Sequence, residues 1–566
     1  MRPRSGAGSA GASSLPDCAG EAWLPPRFDP WLLVALTLLG LALRLPAIFD
    51  WWLNPDEGVY YSVASWSDWS DVWAEMSRNA HPPLFYLIIR GVRALGLGVV
   101  GLRVPSVVCG VLAIPAFHLA TRALVGRRAA ALAALTIAIS PGAIVQSQVI
   151  RPYAMQLALL GFLLFALARF AERREARPLV AVGALAFASV LLHYGSFPAL
   201  VAAAVAAVVL VLAGELPGRS ALRLAAALTP AALAAGLLGL THVAQDLAGS
   251  SVQLRAQQTW LRPFFHAGLH DLWTATGGLL LYAFGSRGAP VAGVALLVGL
   301  VAACVERRLL LATFALASLG LAAGLSLAQL YPFGGTRHSL HLLVAVVPCV
   351  GLGLDVLARA NPRVRLLAAA LLVLLASGAP SVVRLVFGPR IPVASDIEQL
   401  TPRSSVTAAG PVLAEARAEP WLVVLDRQTY QILTPQLGPA RASISLEPEA
   451  LSHFRWGEAD VLVSHRLSLR TDRSHPERDD HVLGFLARAR REFPALDLGQ
   501  RRRGRLFVGG WKAPRLETLP GSDAALGPGS RCVSGLALQP GLGWARLDPA
   551  RCIERVERAR LGAAPP

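Results

Sequence analysis

Asp56 and Glu57 stand side by side in Asn54-Pro55-Asp56-Glu57, a few residues past the first long apolar run. Adjacent carboxylates repel, and a carboxyl group drawn partly out of water has its pKa raised toward the range where a general base takes a proton from a hydroxyl or amine. An Asp-Glu pair alone reads first as a solvated acidic turn after a helix. Tyr60, Tyr61, Trp66, Trp69 and Trp73 follow, but aromatic belts mark nearly every membrane interface and carry no chemistry of their own. His81 precedes Pro82-Pro83, a helix start that leaves the imidazole at the outer surface.

Three arginines add a second chemistry. Arg103 in Leu-Arg-Val-Pro, Arg151 in Ile-Arg-Pro-Tyr and Arg337 in Gly-Gly-Thr-Arg-His each sit at the outer end of an apolar segment. Guanidinium groups suit bidentate contact with phosphate, so three at one level of a helical bundle point to capture of a lipid phosphate; singly, each would serve as well by snorkelling to lipid headgroups. Tyr153 and His338, in the same two motifs, join Arg151 and Arg337 as substrate-binding candidates. His193, His242, His266, His338 and His341 fall near the outer face. Their spacing matches no zinc pattern, so structural or headgroup-facing roles are expected, the cofactor is unknown and a divalent metal remains possible. Gly96-Leu97-Gly98-Val99-Val100-Gly101 fits a dinucleotide fingerprint only in letters, since no strand precedes it and no acidic residue follows at the required distance.

These groups need elements to hold them, and composition says which. Of 566 residues, 54% are apolar and 16% charged, against about a quarter charged in soluble proteins. Apolar segments near 31–49, 103–121, 128–146, 153–170, 178–194, 198–213, 221–243, 289–305, 309–330, 338–358 and 364–386 predict a polytopic α-helical membrane protein with about 11 transmembrane helices. Pro82–Gly101 is long enough to look like a twelfth, but Arg90 and Arg93 would lie near its centre, at about 2.5–3.5 kcal/mol each. It is therefore expected to lie along the interface, as is Leu272–Phe284, which is too short to span comfortably.

Charge supports that reading. The net charge of +17 is not that of a nucleic-acid binder, because the arginines cluster in short loops. On one side, with the N-terminal tail, 17 arginines occupy 66 residues; on the other, nine occupy 112. The positive-inside rule then makes residues 1–30 a disordered cytoplasmic tail and puts the loop 50–102 outside the cytoplasm. Residues 387–566 turn proline-rich and charged and are expected to form a small extracytoplasmic soluble α/β domain. In it Pro420–Leu425, Asp460–Ser464 and Arg505–Gly509 read as strands, Glu449–Trp456 and Asp480–Phe493 as helices. Cys532 and Cys552 on that side could pair or remain thiols.

Asp56-Glu57 after the first span, His81-Pro82-Pro83, Leu102-Arg103-Val104-Pro105-Ser106 opening the second and Arg151-Pro152-Tyr153 after the third, taken in this order, resemble the protein O-mannosyltransferase superfamily. That group, glycosyltransferase family 39-like, includes the bacterial enzyme transferring aminoarabinose to lipid A. The resemblance spans roughly residues 30–390 and is strongest over 50–160. It implies a GT-C glycosyltransferase domain over 31–386 in the cell membrane, using a polyprenyl-phosphate-linked sugar donor on the outer face. It also implies that Asp56 is the catalytic carboxylate, Glu57 its partner, Arg103 a contact to donor phosphate and His81 a neighbour of the site. A sugar phosphate carries its own leaving group, so direct displacement with Asp56 as general base and inversion at the anomeric carbon is the expected mechanism. Arg151 and Arg337 come from the electrostatic argument alone. The inserted β-trefoil repeats of the eukaryotic mannosyltransferases are absent, which leaves the acceptor open. The competing class is a lipid-linked sugar transporter or flippase, for which inverted repeats and broken helices at mid-membrane are the expected signs.

Overall fold

The structure, a computed structural model, describes residues 29–65, 68–78, 81–243, 264–266 and 268–359, and seven short strands beyond them. The first group is almost entirely helical. It begins with α1 (Asp29–Arg44), α2 (Ala47–Asp50), α3 (Pro55–Ser65), α4 (Trp69–Arg78) and α5 (Pro83–Ala94). Next come α6 (Val99–Leu124), α7 (Arg127–Ile139), α8 (Pro141–Ser147), α9 (Tyr153–Arg173), α10 (Ala176–Leu192), α11 (Ser196–Leu212) and α12 (Gly218–Leu238). After a π-helical turn, Gly239–Val243, the described chain resumes with α13 (Leu269–Val305), α14 (Leu309–Leu327), a 3-10 turn at Arg337–Leu342 and α15 (Leu343–Arg359).

Among the described residues seven helices are long and apolar enough to cross a membrane, or eight if the bent pair α7 and α8 counts as one. This is a multi-pass membrane protein. Ten of the eleven expected segments are helical, but not all as full spans; 364–386 lies outside the described residues. The segments 178–194 and 198–213 become α10 and α11 of 17 residues each, roughly 25 Å at 1.5 Å per residue and shorter than the hydrocarbon layer. Leu272–Phe284, expected as a separate interfacial piece, joins the following apolar run in α13 across a kink at Gly285, whose φ of 74° is left-handed. Only glycine takes that backbone without strain. α5 is a separate short amphipathic helix as its arginines required. Arg90 donates to the Val63 carbonyl and lies over the Trp69 ring at 4.2 Å, while Arg93 donates to Ser65 Oγ and the Leu97 carbonyl.

α15 runs through the middle of the bundle. A Cβ on Gly353 would lie 1.9 Å from the Ala295 carbonyl oxygen, and one on Gly299 1.9 Å from that of Cys349. The two backbones therefore touch, the small-residue packing by which membrane helices associate without a hydrophobic driving force.

The break between α7 and α8 bends the chain by 57°. Pro141 cannot donate to the preceding turn, and Ser140 caps α8 by accepting from the Ala143 N–H. The carbonyls freed at the end of α7 go to Arg44: its guanidinium, buried at the end of α1, donates to the Ile137 and Ala138 carbonyls at 3.2 and 3.0 Å, and to Ser147 Oγ of α8 at 3.2 Å. A cation there also complements the negative end of the α7 dipole.

Past Arg359 the described residues are β1 (Leu422–Leu425), β2 (Ser443–Ser445), β3 (Asp460–His465), β4 (Arg501–Arg503), β5 (Leu506–Trp511), β6 (Leu536–Gln539) and β7 (Gly543–Arg546). Five form a mixed sheet in the order β2-β1-β3-β5-β4, and β6 pairs antiparallel with β7. The three expected strands coincide with β1, β3 and β5. The two expected helices, Cys532 and Cys552, and the tail up to residue 28 lie outside the described residues.

Candidate active site

The site is built at the start of α3. Asn54 caps this helix reciprocally with Glu57: the Glu57 N–H donates to Asn54 Oδ1 and the Asn54 N–H donates to Glu57 Oε2, both at 2.9 Å. Pro55 takes the first helical position, where no N–H is needed. One residue of turn, about 100° on a 3.6-residue helix, separates Asp56 from Glu57, and the two carboxylates find separate partners.

Glu57 faces inward and is fully buried. Its oxygens accept from Arg103 Nε and Nη2 at 2.8 Å each, from the Ile150 N–H at 2.8 Å and from the Asn54 N–H. Arg103 spends its other donors on the carbonyls of Ile48 (3.3 Å), Trp51 (2.7 Å) and Trp52 (2.8 Å). All five guanidinium N–H groups are thereby used. This corrects the expected phosphate contact by Arg103, which has neither an exposed face nor a donor to offer. It also corrects the picture of Asp56 and Glu57 as mutually repelling neighbours, since the Glu57 charge is neutralised inside the protein.

Asp56 faces the other way, with its side chain 38% exposed. One of its oxygens, Oδ2, meets both Arg151 Nη2 and Arg337 Nη2, the latter at 3.0 Å. Arg151 is held by its neighbours: its Nη1 donates to Tyr60 Oη at 3.4 Å, its carbonyl accepts from Ser106 Oγ at 3.0 Å, and its guanidinium lies 5.2 Å from the Tyr60 ring centre. Arg337 begins the 3-10 turn capped by Thr336, whose Oγ1 accepts from the His338 N–H at 3.1 Å. Both guanidiniums are buried.

A wall of rings adjoins this cluster. His81 lies 6.0 Å from Tyr60 and 5.6 Å from His193, and Tyr153 lies 4.9 Å from His193 and 5.9 Å from His338. Tyr331 Oη and His341 Nδ1 both reach the His338 carbonyl, at 3.2 and 2.9 Å. Of the residues singled out from sequence, Asp56, His81, Arg151, Tyr153, Arg337 and His338 are thus brought together, and Glu57 and Arg103 form the buried support under Asp56. Tyr60 and Tyr331 were not foreseen as part of it. His193 and His341 were known only as outer-face histidines. His266 is elsewhere, its Nε2 bonded to the Phe333 carbonyl at 2.8 Å. Among the described residues no three His, Cys, Asp or Glu side chains are grouped to hold a metal ion.

Burial and nearby charge hold two of these imidazoles neutral. Burial, then the positive charges of Arg151 and Arg337, push His81 down to about 3. Burial and the neighbouring His81 likewise push His193 well below its usual value, and burial drives the Tyr60 hydroxyl up. An unfolded imidazole takes its proton near 6.5 while folded His81 waits until about 3, so the unfolded state binds more protons between those values and stability falls as pH drops below 6.5. The thermal midpoint of the purified protein is expected to fall between pH 7 and 5, and His81→Gln to flatten that slope; an unchanged slope would contradict the neutral assignment.

Residues 80–242 match the family described as Dolichyl-phosphate-mannose-protein mannosyltransferase. This is the family that the ordered motifs resemble, one of membrane enzymes dependent on polyprenyl-phosphate sugars. The match includes His81, Arg103, Arg151 and Tyr153, whereas Asp56, Glu57, Arg337 and His338 fall outside it. No curated protein matches the chain. Among solved structures, the apo oligosaccharyltransferase of Archaeoglobus fulgidus is similar, with 14% identity, a TM-score of 0.48, and coverage of 81% of this chain and 73% of that one. ArnT from Cupriavidus metallidurans bound to undecaprenyl phosphate shows 15% identity and a TM-score of 0.49, with coverage of 88% and 100%. The Archaeoglobus fulgidus enzyme AglB, in complex with an inhibitory peptide and a dolichol-phosphate, gives 14% identity and 0.48, with coverage of 79% and 70%.

Proposed function

We propose that this protein transfers a sugar from a polyprenyl-phosphate donor to an acceptor on the outer face of the membrane, with Asp56 as general base. One observation carries the reading: two buried guanidiniums, from chain positions almost two hundred residues apart, converge on one oxygen of a carboxylate that remains reachable. Two nitrogens that both touch one oxygen lie no more than about 6 Å apart at hydrogen-bond distances. That spacing fits the oxygens of a single phosphate group, and guanidinium is the side chain suited to it.

A chemical sequence follows. The donor phosphate competes with Asp56 for Arg151 and Arg337 and draws them toward itself. The carboxylate that gives up these partners becomes a stronger base. It accepts the proton of the acceptor hydroxyl or amine as that oxygen or nitrogen bonds to the anomeric carbon. The bond from that carbon to the phosphate oxygen breaks, with inversion, and the polyprenyl phosphate leaves with its charge balanced by the two arginines. The wall of His81, His193, Tyr153 and His338 flanks the place where the sugar would lie. Residues 387–566 are proposed as the extracytoplasmic soluble domain.

The test is the protein reconstituted in nanodiscs with radiolabelled polyprenyl-phosphate sugars. Transfer of label to a new acceptor, with release of polyprenyl phosphate, is expected. In sealed vesicles, label that crosses the bilayer with its phosphate bond intact would instead make the protein a flippase. Arg151→Ala and Arg337→Ala should each raise the donor KM roughly 10- to 100-fold, the loss of a hydrogen bond to a charged group being about 1.5–3 kcal/mol. Unchanged donor affinity in both would place the phosphate elsewhere.

A further inference from the structure

We infer that one face of α13, residues 275–283, is a common seat that sets the spacing of Arg151 and Arg337, and that Gly278 is its positioning residue. This rests on the reading that the two arginines take the donor phosphate.

The arginines belong to segments with no sequence relation, yet both segments press on the same helix face. On the Arg337 side, a Cβ on Gly278 would lie 2.9 Å from the Gly335 nitrogen and 3.4 Å from its Cα, and one on Gly335 would lie 3.0 Å from the Gly278 carbonyl oxygen. The backbones touch, and Arg337 follows two residues later. Gly334, at a φ of +136°, turns the chain over Ala275 and donates its N–H to Ser339 Oγ at 3.0 Å. On the Arg151 side, Ser140 Oγ donates to the Ala283 carbonyl at 2.7 Å and Gln146 Nε2 donates to Tyr282 Oη at 2.8 Å. A Cβ on Gly142 would come within 2.9 Å of the Tyr282 carbonyl oxygen. α8 then leads through Ile150, fixed to Glu57, to Arg151.

Ala275, Gly278 and Tyr282 follow the i, i+3, i+7 spacing of a single helix face. A rigid helix, rather than either loop, therefore fixes how far apart the two guanidiniums stand. Gly278 and Gly335 are glycine because no side chain fits between the backbones. Gly277 has nothing within 4 Å of its would-be Cβ, so the neighbouring glycine is under no such demand.

That contrast supplies the experiment: Gly278→Ala and Gly277→Ala in the full chain in nanodiscs, measured for donor KM, acceptor KM, kcat and its pH profile. Gly278→Ala should raise the donor KM by about 10-fold or more, since displacement of a binding group by around 1 Å is enough for such losses. The acid limb of its kcat/KM profile, which reports the free enzyme, should shift as Asp56 loses a partner, and its acceptor KM should hold. Gly277→Ala should match the wild type. Ser339→Ala loosens the Gly334 turn without a clash, and should raise the donor KM in the same direction if Gly278→Ala fails to fold. Hydrogen exchange gives a readout independent of activity: Gly278→Ala should speed exchange over 334–339, and Gly277→Ala should not. Equal behaviour of a folded Gly278→Ala and Gly277→Ala in exchange and donor KM overturns the seat. Faster exchange in a protein whose wild type consumes no polyprenyl-phosphate sugar would uphold the seat and overturn the reading of the site.

Discussion

The Asp56→Asn protein is expected to fold, to bind the polyprenyl-phosphate donor several-fold more tightly than the wild type, and to lose transfer by two to four orders of magnitude. The loss is the usual contribution of a positioned general base, about 10²–10⁴-fold. Tighter donor binding is the less obvious half. In the wild type Asp56 occupies Arg151 and Arg337, so an arriving phosphate has to displace a carboxylate. Asparagine keeps the size of the side chain and removes that competitor. Donor binding by isothermal titration, alongside single-turnover transfer, separates the two effects. Retained turnover would take Asp56 out of the mechanism, and weaker donor binding would mean that its charge supports the site instead of competing within it.

The second large effect is on stability. Arg103→Ala leaves Glu57 buried with a charge and no cation, and breaking such a pair costs about 3–5 kcal/mol. The variant should therefore show a much lower thermal midpoint or a collapsed yield of folded protein in detergent. Glu57→Gln should be destabilised in the same direction, because it strands the Arg103 guanidinium. The double variant Glu57→Gln/Arg103→Met should be less damaged than the sum of the single ones, since neither charge is then left alone. A well-folded Arg103→Ala with weakened donor binding would return Arg103 to the phosphate.

Much of this arrangement was legible from sequence, for specific reasons. Long apolar runs identified the helices because the bilayer fixes their length, and Arg151 and Arg337 stood out because they sit on the arginine-poor side. The two arginines could be singled out for a reason that single residues carry, namely their charge in the wrong place. What sequence could not supply was partnership. Arg337 reaches Asp56 across 281 residues, and nothing local to either residue records that. For Glu57 a local signal did exist: Asn54-Pro55-Asp56-Glu57 has the spacing of a capping box with proline at the first helical position. Read that way, the motif commits Glu57 to its own helix start and leaves Asp56 as the carboxylate available for chemistry. Arg103 looked like its two counterparts because all three open or follow a span, and only the five acceptors around it distinguish support from binding. The length of α10 and α11, and the joining of two apolar runs at Gly285, depended on packing partners that hydropathy does not see.

The ring of contacts about Glu57 also bears on biosynthesis. Its members come from residues 48–57, 103 and 150, so a ribosome-bound chain holds the ring incomplete until residue 150 has emerged. Until then the first two inserted helices carry a carboxylate lacking one of its amide donors, in a setting where water is scarce. Pausing or surveillance during insertion would act most strongly in that interval, and chains arrested just before and just after residue 150 clears the ribosome should differ in protease resistance.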